Sequence, residues 1–148
     1  MLILSGCSKT SSKVETTDLS NISVDSITIG SNIKSVDLTK YTDSDRYSGN
    51  YTYKFEEIVI NTKDDMVDYL FARFDENDTT ISINGSINLT NIDDVEDVLG
   101  NNFEDKWYDK EQGLRAYVYY DYENKIEAKF VYIDYNYYLT WIKLSKIK

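Results

Sequence analysis

From Leu114 to Leu144 the chain alternates apolar and polar residues in three runs separated by short polar turns. Side chains two apart share a face of a strand but not of a helix, so a period of two over this length commits the segment to β-structure. Leu114 to Tyr122 places Leu114, Ala116, Val118, Tyr120 and Tyr122 on one face. Glu123-Asn124 turns it into Lys125 to Ile133, where Ile126, Ala128, Phe130 and Tyr132 alternate again. Asp134 to Asn136 turns that run into Tyr138 to Leu144, and Glu104 to Asp109 precedes all three. Four antiparallel, hairpin-linked strands are expected.

One face of such a sheet needs a cover, and the segment before it supplies a helical pattern. Ile92, Val95, Val98 and Leu99 fall on one helical face, Thr90 with Asp93 has the spacing of a capping box, and Gly100 is a stop. The run Thr90-Asn91-Ile92-Asp93-Asp94-Val95 also has an earlier counterpart, Ser31-Asn32-Ile33-Lys34-Ser35-Val36, expected as a helix of one or two turns. Between them, Tyr51 to Ile60 and Thr79 to Asn84 read as strands, with Asn84-Gly85 a tight turn. Thr62 to Phe74 fits two patterns: Met66, Val67, Leu70, Phe71 and Phe74 have helical spacing, while Tyr69, Phe71 and Arg73 alternate. The helix is favoured. A first short strand is expected from Val24, ending at Gly30. The expected class is α+β, short helices packed on one face of an antiparallel β-meander, with room for two divergent repeats.

Composition removes several chemistries. With no histidine and a single cysteine, Ser-His-Asp and Cys-His machinery, histidine metal sites, thiolate zinc cages and internal disulfides are excluded. A net charge of −10 argues against nucleic acid as a partner. From Glu56 to Asp105 fourteen acids face only Lys63 and Arg73, a local net charge of −12. Anionic headgroups would repel such a segment.

The run Leu4-Ser5-Gly6-Cys7, followed by a polar stretch, resembles the lipobox of bacterial lipoproteins. The resemblance implies cleavage before Cys7, a diacylglyceryl group on its thiol, and the extracytoplasmic face of the cell membrane as the location. Residues 1–6 then read as the remnant of a signal peptide whose basic and apolar parts lie upstream. Residues 7–22, rich in Ser, Thr and Lys, read as a lipid-anchored flexible tether, and 23–148 as a single α+β domain. The group Ile92-x-x-Val95-x-x-x-Leu99-Gly100, an aromatic strand and three hairpin-linked strands together resemble small lipoproteins of the BamE/SmpA type. Those share a fold with the β-lactamase inhibitor protein. The resemblance implies a helix pair before an antiparallel sheet, and binding in place of catalysis.

The residues offer little chemistry of their own. Asp64-Asp65 and Asp93-Asp94 are adjacent pairs at expected helix starts, where a helix dipole explains them better than general acid–base work. Asp75-Glu76-Asn77-Asp78 fails the EF-hand order, since Thr80 and Ser86 stand where Gly and Glu belong. No catalytic residue, metal or cofactor is assigned. The surplus is tyrosine, fourteen in all. If Tyr120 and Tyr122 face the helix, Tyr117 and Tyr119 face outward, and with Tyr135 and Tyr137 they form the candidate binding face. The expectation is a non-enzymatic module that binds an unidentified protein, with cell-wall glycan as the alternative ligand and a carboxylate-dependent hydrolase the least favoured reading. The membrane is reached through lipid on Cys7.

Overall fold

The computed structural model describes residues 14–75 and 78–148, so Cys7 and its lipobox lie outside the described residues. In chain order the elements are β1 (Ile22–Val24), a 3-10 turn (Ile33–Ser35), β2 (Tyr53–Lys54), β3 (Ile58–Lys63), β4 (Met66–Arg73), β5 (Ile81–Ile83), α1 (Ile92–Leu99), β6 (Glu104–Asp109), β7 (Leu114–Asp121), β8 (Ile126–Ile133) and β9 (Leu139–Lys146). Seven strands form one antiparallel sheet in the order β2-β3-β4-β9-β8-β7-β6, and β1 pairs with β5 as a separate ribbon. The expected α+β class is therefore corrected: the chain is mostly β, with one eight-residue α-helix among the described residues. The helix pair implied by the resemblance is not found there.

The largest correction falls on Thr62 to Phe74, which is a hairpin arm and not a helix. Asp64 and Asp65 both take left-handed backbone, φ 53° and 64°, and join Lys63 to its partner Met66 in a two-residue turn. Left-handed residues at both central positions match the twist of the strands that the turn connects. Val67, Leu70 and Ala72 of β4 point into the main core, whereas Phe71 points the other way, against Trp141 and Tyr47. A strand filled on both faces loses its alternation, and its apolar letters then mimic helical spacing. Tyr51 to Ile60 likewise divides: Tyr53 and Lys54 fold back on Ile60 and Val59 through a turn closed by Phe55 N donating to Ile58 O at 3.0 Å.

Cross-strand pairing also reverses the expected face assignment. Tyr117 pairs with Phe130 and Tyr119 with Ala128, which puts both tyrosines on the side of the main core. Leu114, Ala116, Val118 and Tyr120 stand on the opposite face with Val131 and Trp141. That second face is not bare, because Val118 and Val131 are fully buried. Tyr108 of β6 and Trp141 of β9 stand three strands apart, roughly 14 Å at the usual strand spacing, yet their rings meet at 5.6 Å. The sheet coils with this face inside.

The main core is closed by the ribbon, the helix and the segment before β1. Leu19 and Ile22 are buried in it, and Leu19 N donates to Asp121 Oδ2 at 2.9 Å. Thr17 N donates to Tyr120 O at 2.8 Å, and Tyr122 N to Thr16 Oγ1 at 3.0 Å. The tether expected over 7–22 therefore gives way to docked chain by Thr16, because Leu19 and Ile22 supply apolar surface that the sheet needs covered.

The helix begins one residue later than expected. Asn91 caps it, accepting from Asp93 N at 2.9 Å and Asp94 N at 3.3 Å, while Asp94 Oδ2 accepts from Asn91 N at 3.1 Å. Asn is at least as good a cap as Thr, and this start lets Asp94 complete the reciprocal pair. Gly100 ends the helix at φ 90°, backbone that favours glycine.

The two matching tripeptides Ser31-Asn32-Ile33 and Thr90-Asn91-Ile92 dock in the same way. Val67 N donates to Ser31 O at 2.8 Å, and Leu139 N to Thr90 O at 3.0 Å. Ile33 N donates to Asp65 O at 2.8 Å, and Ile92 N to Tyr137 O at 2.9 Å. Each thus grips the left-handed residue of a hairpin turn and the start of the strand that follows. The first is only a 3-10 turn, where a helix of one or two turns is expected.

Candidate functional site

The four tyrosines of the expected binding face do not share one surface. Tyr119 is fully buried, its ring edge-on to Phe130 and its hydroxyl donating to Gly100 O at 2.8 Å, so it is core and not part of a docking surface. Tyr117 is half-buried and stacks on Phe103 with ring centroids 3.7 Å apart. Burial, reinforced by Glu96, Asp105 and Asp93, pushes its hydroxyl up to about 12, so it stays a neutral donor. Tyr135 and Tyr137 are on the β8–β9 turn, 86% and 52% exposed, and Tyr138 beside them is 55% exposed. A chain of ring contacts runs Tyr117–Tyr132–Tyr137 at 5.3 and 6.1 Å.

That turn is held from several sides. Tyr137 N donates to Ile133 O at 2.8 Å and Ile133 N to Tyr138 O at 2.9 Å, closing the loop. Asp134 N donates to Gly113 O at 2.9 Å, which fastens it to the neighbouring β6–β7 turn. Tyr137 adopts φ 68°, a conformation that a bulky L-residue rarely takes. Strain of that kind persists only where the surroundings enforce it.

Beside the turn stand two residues that the tyrosine count did not reveal, Trp107 and Arg115. The Arg115 guanidinium lies 4.7 Å from the Trp107 ring centroid, and Nε donates to Asp105 Oδ1 at 3.1 Å and Tyr132 Oη at 3.3 Å. Asp134 Oδ1 is 3.9 Å away. These partners hold Arg115 in one orientation, and the hydrogen bond it donates to Asp105 leads in raising its pKa, followed by the one it donates to Tyr132. Trp107 is 41% exposed. The signal for both was the cross-strand pair Trp107–Arg115, legible only once β6 and β7 are in register. Exposed Trp, Tyr and oriented Arg at one end of a sheet is the composition that dominates binding energy at protein interfaces.

The carboxylates take structural positions. Asp64 and Asp65 form the turn already described, with Asp65 3.1 Å from Lys34 Nζ. Asp94 caps the helix and Asp93 is exposed in its first turn. Buried Glu57 accepts from Thr42 N at 2.9 Å, and Asp25 accepts from Thr80 N at 2.7 Å and from Tyr41 Oη at 2.7 Å. Among the described residues no group of three or more acidic or cysteine side chains is placed to hold a metal ion, and no helix is long and apolar enough to cross a membrane. No family model, curated protein or solved structure matches the chain.

Proposed function

We propose that the chain is a non-enzymatic binding module that docks a protein through the β8–β9 turn and the adjoining Trp107–Arg115 pair, and that it is held to the extracytoplasmic face of a membrane by lipid on Cys7. The observation that carries the docking site is Tyr137, an exposed aromatic kept in left-handed backbone on a rigid turn with Tyr135 and Tyr138. Large rings presented on pinned backbone lose little conformational freedom on binding, which favours affinity. The location of the patch agrees with tethering. Thr16 and Thr17 dock beside Tyr120 and Tyr122 at the far end of β7, so the patch is at the opposite end of the sheet from the N-terminal segment.

Cross-linking on intact cells, followed by purification of the protein, tests the docking surface. A partner captured by the wild type should be lost with Tyr135→Ser and Tyr138→Ser, two exposed changes that leave the core alone. Capture that is unchanged in both variants would refute this surface. Labelled palmitate should enter the wild-type chain and not Cys7→Ser; equal labelling of the two would remove the lipid.

A further inference from the structure

The inner face of the coiled sheet collects positive charge in a chain whose net charge is −10. Two clefts open on it side by side, one of about 240 Å³ and one of about 810 Å³, and Tyr51 and Tyr69 line both. Their rings stack with centroids 5.1 Å apart, so the pair forms the wall between the clefts. The smaller cleft carries Lys143 and Arg46, the latter with Glu56 at 3.8 Å, the larger carries Lys63, Lys146 and Lys148, and Asp68 is the one acidic side chain lining either.

Lys143 is the unusual member. It is half-buried, and directly across the strand pair stands Lys129, a like-charge pairing that a sheet disfavours. Lys129 has Glu127 at 3.6 Å. Lys143 has no ion-pair partner among the described residues, and its ammonium donates to the Tyr108 hydroxyl while lying 4.8 Å from that ring's centroid. A partly desolvated ammonium without a carboxylate, beside open volume, is placed to meet an anion from outside.

We propose that the two adjoining clefts form one groove for an acidic polysaccharide, whose anionic groups meet Lys143, Arg46 and Lys63 while its sugar rings lie against Tyr51 and Tyr69. Charge complementarity sets the sign of the ligand, and two adjoining clefts that share an aromatic wall suit a chain better than a single small ion. A bilayer is flat and cannot follow a cleft on the inner face of a coiled sheet to half-buried Lys143. This groove is on the inner sheet face, separate from the β8–β9 turn, so it stands or falls independently of the protein-docking surface.

Calorimetric titration of the whole chain with oligogalacturonate tests the groove, with neutral dextran, single-stranded oligothymidylate and vesicles containing anionic phospholipid as comparisons. Oligogalacturonate should bind, about tenfold more weakly in Lys143→Gln, the loss expected for one charge-assisted contact. Binding should weaken further in high salt. Should Lys143→Gln fail to fold, the exposed double change Lys63→Gln with Lys146→Gln should still weaken binding severalfold. No binding of oligogalacturonate overturns the proposal, as does equal binding of dextran. Tighter binding of oligothymidylate or of the vesicles, lost in the same variants, overturns it in favour of those ligands.

Discussion

Two residues show opposite bargains between conformation and contact. Tyr137 occupies backbone that costs a bulky residue roughly 1–2 kcal/mol, and its ring contact with Tyr132 offsets about 0.5–1 kcal/mol of that. Tyr137→Gly should therefore leave stability unchanged or raise it by about 0.5 kcal/mol, while capture of the partner falls. A clear drop in Tm on this change would mean that the tyrosine is there for the fold. Asp121 is the reverse case, a buried carboxylate that the fold needs. Burial alone would raise its pKa, but hydrogen bonds from Asn124 N, Leu19 N and the Asn124 side chain outweigh that and hold it below the usual carboxylate value. A depressed pKa contributes stability at pH above the unfolded value of about 3.9 and loses it as pH falls through the folded one. Acid well below about pH 4, where the folded-state carboxyl takes up its proton, should accordingly release the segment around Leu19 before the sheet melts. Hydrogen exchange at the Leu19 and Asn124 amides reads this directly. Asp121→Ala should cost about 2–3 kcal/mol and expose the same amides at neutral pH.

At the scale of elements, the strands β6 to β9 were legible because each turn carried its own signal and each run kept its alternation. The β3–β4 hairpin was not, because Phe71 fills the inner face while Leu70 and Ala72 fill the main-core face, and the alternation of Tyr69, Phe71 and Arg73 is masked by the apolar letters between them. Its turn, Asp64-Asp65, is also the pair that looked like a helix start. Aspartate serves both purposes, accepting from helix N–H groups and tolerating left-handed backbone. The hairpin reading makes a checkable claim: Asp64→Asn with Asp65→Gly should raise Tm by about 2–4 °C, since both residues suit a turn with φ positive at each centre. A helix there would be destabilised by the glycine. The cap of α1 allows a similar check. Asn91→Ala should cost about 1 kcal/mol, whereas Thr90→Ala, which removes the residue the spacing had favoured, should cost much less. The cationic groove had no sequence signal. Arg46, Lys63 and Lys143 come from three separate segments, two of them inside or beside the most acidic part of the chain, and only the coil of the sheet brings them to one face.

Across the whole molecule, the polarity of the sheet decides what each end can reach. β8 runs eight residues, roughly 25 Å, from the turn near Asn124 to the turn that bears Tyr135 and Tyr137. The segment of Thr16 and Thr17 is fastened at the first of these turns, so a lipid on Cys7 would hold that end toward the bilayer and leave the tyrosines outermost. The like charge of an acidic chain and anionic headgroups would discourage it from lying flat. Placing a single fluorophore as an unnatural amino acid at Tyr135 or at Lys125, in protein coupled to vesicles through Cys7, separates the alternatives. With a quencher carried on the lipid headgroups, the label at Lys125 should dim strongly and the label at Tyr135 hardly at all. Equal quenching at both sites would mean that the module lies along the membrane, and the β8–β9 turn would then be a poor place from which to meet a soluble partner.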